Sequence, residues 1–189
     1  MVIERLKKLI GKESVMKKAD IDRLSAMPPE QKEQELQSLF YELAFKDAAA
    51  FVYDGLSRSE SPFSSLDRNA FFHEILIMNF WMMQKVFSKY IKDLAEKMHM
   101  HYFGSLSDIA ERKAALKPKL KTYSLCWDEY TGHHDEFGLK VGEILFGKGA
   151  AYPEKNVSFW IITYADDSIK KYKKARKQCL EAGLLHKGE

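Results

Sequence analysis

The run from Phe71 to Phe87 constrains the fold most, because a helix formed by it would carry apolar side chains on every side. At about 100° per residue, one face holds Phe72, Ile75, Met82, Met83 and Val86, and the opposite side holds Ile77, Met78 and Trp81. Such a distribution is typical of a helix surrounded by other helices. The run therefore predicts a buried central helix near residues 70–88, which either continues to Gly104 or bends near Ser88.

Helical periodicity also describes most of the remaining chain, and no segment alternates with period two between turn signals. The pattern predicts an all-α fold, an irregular bundle of about seven helices packed around the central one. One long helix is expected from about Glu30 to Val52, followed by a serine-rich loop at 55–65, and a last helix from about Val157 to Ala182. Asp67 or a neighbouring serine is expected to cap the central helix.

Two residues predict interruptions beyond the central helix. Pro118 falls inside a helical pattern, and a proline there costs roughly 3 kcal/mol, so we expect a break near Lys117 and a new helix start at Pro118. Asp108 followed by Glu111 resembles a capping box, which predicts that the Asp108 side chain caps a helix.

The length of 189 residues suits one domain with a small addition. Residues 1–27 hold short amphipathic helices before Pro28 and Pro29, which suit a helix start. We therefore predict a small N-terminal helical appendage at 1–27 and a main helical domain at 28–189. Because so small a piece cannot build its own core, homo-oligomer formation through the N-terminal helix is a further hypothesis.

The composition is that of a globular protein, with 46% hydrophobic and 30% charged residues. A net charge of +3 implies no overall field that would hold nucleic acid or a membrane. The two cysteines, Cys126 and Cys179, suit a reducing compartment. The N-terminus lacks the apolar region of a secretory signal, and the Phe71–Phe87 run falls short of the ~20 apolar residues of a membrane span. We expect a soluble cytoplasmic protein without a membrane span.

Three segments resemble parts of known ligand sites. Glu96-x-x-His99 is half of a di-iron pattern that needs a second such unit, which the chain lacks. The His-His-Asp-Glu cluster at 133–136 lacks the three or four converging ligands that zinc needs, and its acidic pair suits the first turn of a helix. The segment 142–149 has the spacing of a phosphate-binding loop but lacks the preceding strand and the following Ser or Thr. We therefore expect no metal and no cofactor.

Basic residues cluster at 112–121 and 170–177. Before the second cluster, Asp166 and Asp167 each precede a lysine by four residues, the spacing of a favourable helical ion pair. Solvated helix faces explain both clusters. Binding of an acidic partner or a nucleic-acid backbone is the alternative, although nucleic acid is disfavoured because no recognition motif accompanies the charge.

Two polar residues lie where the pattern calls for apolar ones. Asp47 is at the centre of the apolar stripe of the helix at 30–52, and Asn79 is on the apolar face of the central helix. Leaving such a group unpaired costs about 1 to 3 kcal/mol. Each therefore either marks a ligand pocket or is bonded to backbone, or to a neighbouring lysine or tyrosine.

A stripe of side chains with aromatic bodies and polar tips follows Pro118. It consists of Tyr123, Trp127, Tyr130 and His134. These residues are candidates for lining a ligand cleft, since such side chains are common at binding surfaces. Packing against the rest of the fold is the alternative explanation.

The sequence favours a non-catalytic module that binds a protein or a small ligand, because no complete catalytic constellation accompanies an ordinary core. The first alternative is a metal-dependent or carboxylate-based enzyme with its site in the bundle, using Asp47, Glu74, His73 or the cluster at 133–136. The second alternative is a binder of an acidic partner or nucleic acid through the basic helix faces.

Overall fold

The computed structural model describes residues 15–127 and 134–186, which form seven α-helices and no strand. The helices are α1 (Lys18–Ser25), α2 (Pro29–Ser57), α3 (Arg68–Phe87), α4 (Leu94–Phe103), α5 (Ile109–Cys126), α6 (Asp135–Phe146) and α7 (Glu154–Glu181). The prediction of an all-α, multi-helix bundle is confirmed. None of these helices combines the length and the apolar character that crossing a membrane requires.

Helix α3 is the centre of the bundle and contacts α2, α4, α5, α6 and α7. Every residue from 74 to 83 is buried, so the predicted central helix is confirmed. Asp67 caps it, because its Oδ1 accepts a hydrogen bond from the Ala70 backbone N–H at 2.8 Å. The helix ends at Phe87 and the chain turns before α4, with Asp93 in the left-handed region at φ 53°. Of the two predicted continuations, the bend is therefore the one adopted.

Helix α2 continues beyond the predicted end at Val52 as far as Ser57. Gly55 lies inside its last turns, where an added Cβ would be 3.1 Å from the Phe71 ring and 3.3 Å from the Phe63 ring. The prediction that Gly55 begins a loop is wrong, because here a glycine allows a helix to approach two aromatic rings closely.

Helix α5 runs unbroken from 109 to 126 with Pro118 inside it, so the predicted break near Lys117 is wrong. Leu116 and Tyr123, on either side of the proline, are both buried. Burying two large side chains on one helix offsets the roughly 3 kcal/mol that an interior proline costs. Tertiary packing therefore holds α5 together where local preference would end it.

Asp108 precedes α5 as predicted, but its side chain makes no capping hydrogen bond with the described backbone. Its two carboxylate oxygens instead accept hydrogen bonds from Arg112 Nε at 2.9 Å. The capping-box prediction is wrong because a guanidinium four residues later is a stronger partner than a backbone amide.

Residues 15–27 pack against the rest of the bundle. Met16 and Leu24 belong to the hydrophobic core that includes the central helix. The Met16 backbone N–H also donates a hydrogen bond to Gln178 Oε1 at 3.1 Å. The remainder of the predicted appendage, residues 1–14, lies outside the described residues, and its status as a separate piece stays a prediction.

Candidate functional site

A cleft of about 310 Å³ lies between α3, α4 and α5, and we call it the histidine cleft. Its polar lining is His73 from α3, His99 from α4, Asp108 just before α5, and Glu111, Arg112 and Lys119 from α5. Its volume is at the lower end of the ~300–1,000 Å³ range of ligand pockets. The cleft is therefore of a size for a small molecule.

Helix α5 places two cations on one side of itself. Arg112 and Lys119 are seven residues apart, which is about two turns, and the buried Leu116 lies between them on the same face. Lys117 points elsewhere and pairs with Glu96 of α4 at 3.3 Å. The basic run at 112–121 is thus divided between the cleft and the outer surface.

Each of the two cations is held by a carboxylate. Arg112 is bound by Asp108, and Lys119 Nζ lies 2.5 Å from Glu74 Oε2 on the central helix. Glu74 is only 4% exposed, and its other oxygen accepts a hydrogen bond from the Tyr123 hydroxyl. Both cations are therefore fixed before any ligand arrives, which lowers the entropic cost of binding one.

The Phe103 side chain of α4 gathers three ionisable groups around its ring. The ring centroids of His73 and His99 lie 5.1 Å and 4.5 Å from it, and Arg112 Cζ lies 5.0 Å from it. Charge on any one of these groups therefore acts on the other two through a largely apolar medium.

Both histidines carry an unsatisfied nitrogen. His73 Nε2 and His99 Nδ1 are shielded from solvent and have no hydrogen-bond partner among the described residues. A buried polar group without a partner costs about 1 to 3 kcal/mol, and most buried polar groups in proteins are paired. A ligand in the cleft would supply what the described part of the chain does not.

The electrostatic surroundings keep both imidazoles neutral. Burial, followed by the charges of His73 and Arg112, lowers the pKa of His99 to about 4. Burial also lowers the pKa of His73, with Lys119 and Arg112 acting in the same direction and Glu74 opposing them. At neutral pH the two rings are uncharged and lie in a positive local potential.

The two predicted polar candidates, Asp47 and Asn79, do not line the histidine cleft. Asp47 pairs with Lys171 of α7 at 2.5 Å, and burial raises the pKa of the Asp47 carboxyl in spite of that lysine. Asn79 Nδ2 donates to the Ala44 carbonyl at 2.8 Å, and its Oδ1 accepts from the Tyr164 hydroxyl at 2.9 Å. Both side chains thus have partners from neighbouring helices.

The predicted aromatic stripe divides into three parts. Tyr123 is buried and reaches the cleft only through its hydrogen bond to Glu74. Trp127 is buried in the core, and the His134 ring stacks on it with centroids 3.6 Å apart. Tyr130 lies outside the described residues. In its described part, the stripe packs into the fold.

The segments that resembled metal sites are engaged differently. Glu96 forms its ion pair with Lys117, while its sequence neighbour His99 is buried in the cleft. Within 15–127 and 134–186, no group of three or more His, Cys, Asp or Glu side chains is placed to hold a metal ion. His133 lies outside those ranges.

The second basic cluster is partly neutralised by ion pairs. Lys170 pairs with Asp166 at 2.5 Å, as the spacing predicts. Lys171 does not take Asp167 as its partner, because its ammonium reaches Asp47 across the α2–α7 contact. The predicted Asp167–Lys171 pair is therefore wrong, and the cluster contributes a contact between helices.

None of the nine residues that line the histidine cleft was among the candidate ligand-binding residues named from the sequence, and His73 was named only for the enzyme alternative. The face of α5 that carries Arg112, Leu116, Lys119 and Tyr123 is visible in the sequence as a mixed polar and apolar stripe. The meeting of His73 with His99 is not visible, because it depends on how α3 and α4 pack.

No protein-family model, no curated protein and no solved structure matches this chain. The chemistry of the histidine cleft therefore carries the functional argument by itself. The charges and the hydrogen-bonding groups that line the cleft are the observations on which a function can be proposed.

Proposed function

We propose that the protein is a small-ligand-binding module whose histidine cleft holds an oxyanion, the carboxylate or phosphate group of a small molecule. The observation that carries the proposal is the convergence of Arg112 and Lys119 with two imidazoles that each bear a buried nitrogen without a hydrogen-bond partner in 15–127 and 134–186. Guanidinium, ammonium and imidazole N–H groups all donate to carboxylate and phosphate oxygens, and such charge-assisted hydrogen bonds are strong.

The sign of the local potential favours an anion over a cation. The pKa of His73 is lowered by burial and by the positive charges of Lys119 and Arg112, which together outweigh the opposing Glu74. Asp108 and Glu111 also line the cleft. Asp108 offsets part of the Arg112 charge through its direct contact, and Glu111 is exposed, so water and salt screen it. An anion that approaches the imidazoles therefore meets the cations more strongly than the carboxylates.

Both cations retain donors for a ligand. Arg112 engages Asp108 through Nε and Nη2, and the described residues do not engage its Nη1. Lys119 gives one of its three N–H donors to Glu74. A carboxylate or phosphate has enough oxygens to accept from both side chains at once.

The apolar part of the lining indicates the rest of the ligand. Ile77, Ala115 and Leu116 contribute hydrocarbon surface beside the charged groups. A ligand with an anionic head and a short apolar body would satisfy both kinds of lining, because apolar walls with a few placed polar groups are the usual composition of small-molecule sites.

Calorimetric titration of the full chain with benzoate, phenyl phosphate and inorganic phosphate tests this proposal. Saturable binding is expected for at least one probe, and the comparison among them separates carboxylate from phosphate preference. Arg112→Gln and Lys119→Met should each weaken binding about 10- to 100-fold, the loss expected when a charged hydrogen bond is removed. Lys121→Met, on the exposed side of α5, is the matched control and should bind as the unaltered protein does.

Two results would contradict the proposal. One is the absence of saturable binding for all three probes. The other is binding that Arg112→Gln leaves unchanged in a variant whose circular dichroism shows it to be folded. Arg112 is the more informative position, because its partner Asp108 is exposed and tolerates the loss, whereas Lys119→Met leaves the buried Glu74 carboxylate without its cation.

A further inference from the structure

We infer that oxyanion binding in the histidine cleft is coupled to proton uptake by His73 and His99, so that the ligand is held more tightly in acid than at neutral pH. This inference rests on the proposed function and adds its regulation. It follows from the geometry around Phe103 and from the balance of charges in the cleft.

Most of the positive charge that the cleft presents is already paired with carboxylates, so little of it is left to neutralise an incoming anion. The cations are Arg112 and Lys119, and the carboxylates are Glu74, Asp108 and Glu111. Arg112 is largely compensated by Asp108, and Lys119 by Glu74. An anion brought into this partly buried space therefore needs additional positive charge, since an uncompensated buried charge is costly.

The two imidazoles are the groups able to supply that charge. They face Glu74 from α3, Asp108 just before α5, and three residues of α5, Glu111, Arg112 and Lys119. Helix α2 also packs on α4, but its Tyr41 contacts His101 and its Glu33 pairs with Lys97. The net charge around His73 and His99 is thus set by α3 and by the segment 108–119.

Protonation also matches the hydrogen-bonding need of the ligand. A neutral imidazole has one donor and one acceptor nitrogen, whereas an imidazolium donates from both. Each ring that takes one proton from a buffer acid gains an N–H bond at its former acceptor nitrogen, and the buffer acid loses its bond to that proton. The shielded nitrogens of His73 and His99 then have anionic oxygen as a partner.

The two rings are placed to respond together. Their centroids lie 5.1 Å and 4.5 Å from the Phe103 ring, and the charge of His73 acts on His99. In the empty cleft, this mutual repulsion and the nearby Arg112 oppose protonation. A bound anion reverses the sign of the local potential, and by linkage it raises the proton affinity of both rings as much as protons raise its own affinity.

The test is calorimetric titration of the full chain with benzoate near pH 6.5, in two buffers of different ionisation enthalpy. The difference between the two observed heats gives the number of protons taken up per bound ligand. We expect uptake of roughly half a proton or more, and an affinity that falls with rising pH by up to about tenfold per pH unit for each proton coupled. Inorganic phosphate is titrated in parallel, with its own proton exchange subtracted.

Variants assign the protons to the two rings. His73→Gln and His99→Gln should each reduce the uptake and flatten the pH dependence of affinity. His101→Gln is the matched control, because His101 is on the same helix, exposed, and outside the histidine cleft. His73→Gln keeps the test valid if the more buried His99→Gln variant does not fold.

The outcomes separate the two proposals. Binding of a probe without proton uptake, or with an uptake that both cleft variants retain, would overturn the coupling and leave the oxyanion site standing. Failure of all probes to bind would overturn the oxyanion site itself, and the coupling with it.

Discussion

Glu74 on the central helix and Lys119 on α5 form an ion pair with 2.5 Å between Oε2 and Nζ, although the Glu74 side chain is only 5% exposed. A charge so deeply placed is tolerated only when paired and hydrogen-bonded, and the Tyr123 hydroxyl completes its bonding. The pair joins the core of the fold to one of the two cations of the histidine cleft. Stability and the proposed recognition of an anion therefore share a residue.

Lys119→Met should lower the free energy of unfolding by about 1 to 3 kcal/mol, because it leaves the Glu74 carboxylate buried with a single neutral donor. Urea melts at neutral pH measure the change. Lys117→Met is the control, since its pair with Glu96 is largely exposed on the lysine side and should contribute less than about 1 kcal/mol. Equal losses of unfolding free energy in the two variants would show that the buried Glu74–Lys119 pair stabilises the fold no more than the exposed pair does.

Stability should fall as the pH is lowered from about 7 to about 4, in part because of His99. Its pKa is about 4 in the folded protein and ordinarily 6.5, so in this window the unfolded chain binds more protons. We expect the His99 contribution to be roughly 1 to 3 kcal/mol across the window. His99→Gln should reduce the slope of unfolding free energy against pH, and His101→Gln should not. A slope that is the same in both variants would contradict the assignment to His99.

Asp47→Leu should destabilise the protein by about 1 to 3 kcal/mol, because it leaves Lys171 partly buried without its carboxylate. Burial raises the pKa of Asp47 more than Lys171 lowers it. The attraction between the two charges is therefore smaller than the free energy needed to remove the carboxylate from water. The double variant Asp47→Leu with Lys171→Met should therefore be as stable as the unaltered protein, or more so. Denaturant melts of the complete double-mutant cycle measure both effects. A double variant less stable than the unaltered protein would show that the pair is net stabilising.

Leu24→Ala should cost about 2 to 5 kcal/mol in unfolding free energy, because Leu24 is fully buried and its truncation leaves a cavity. Leu106→Ala is the control, since Leu106 is 41% exposed and should cost less than about 1 kcal/mol. A small effect at Leu24 in thermal or urea melts would indicate that α1 is docked loosely, as expected of an appendage. A large effect would place α1 within the cooperative unit.

Local patterns were sufficient for the features that depend on one helix at a time. The all-round apolar character of α3 follows from its sequence, as does the Asp67 cap, because both need only the spacing along a single segment. The polar position at Asn79 is equally visible in the pattern. Its partners are not, since the Ala44 carbonyl and the Tyr164 hydroxyl come from α2 and α7.

Local rules gave wrong predictions where tertiary contacts outweigh them. Pro118 stays in a helix because Leu116 and Tyr123 are buried on both sides of it. Gly55 stays in a helix because two aromatic rings approach it. In both cases the residue disfavours a helix locally. The free energy gained by packing is at least as large as that local cost, so the helix continues.

The candidate site could not be assembled from the sequence for the same reason. His73, His99 and Arg112 meet around Phe103 although they belong to three helices and are up to 39 residues apart in the chain. In the sequence, His99 stands out through its spacing from Glu96, three residues before it. The structure separates the two, with Glu96 in an ion pair to Lys117 and His99 in the cleft.

The unbroken burial of residues 74 to 83 has a consequence for how this sequence can vary. A helix with one solvent-exposed face accepts substitutions at every third or fourth position, so its tolerance to substitution is periodic along the chain. Helix α3 has no such side over this stretch, and a saturation mutagenesis map should show one continuous block of intolerant positions. Related chains that drift apart elsewhere should therefore keep this segment nearly unchanged in volume, which makes it the part of the sequence by which distant relatives are best sought.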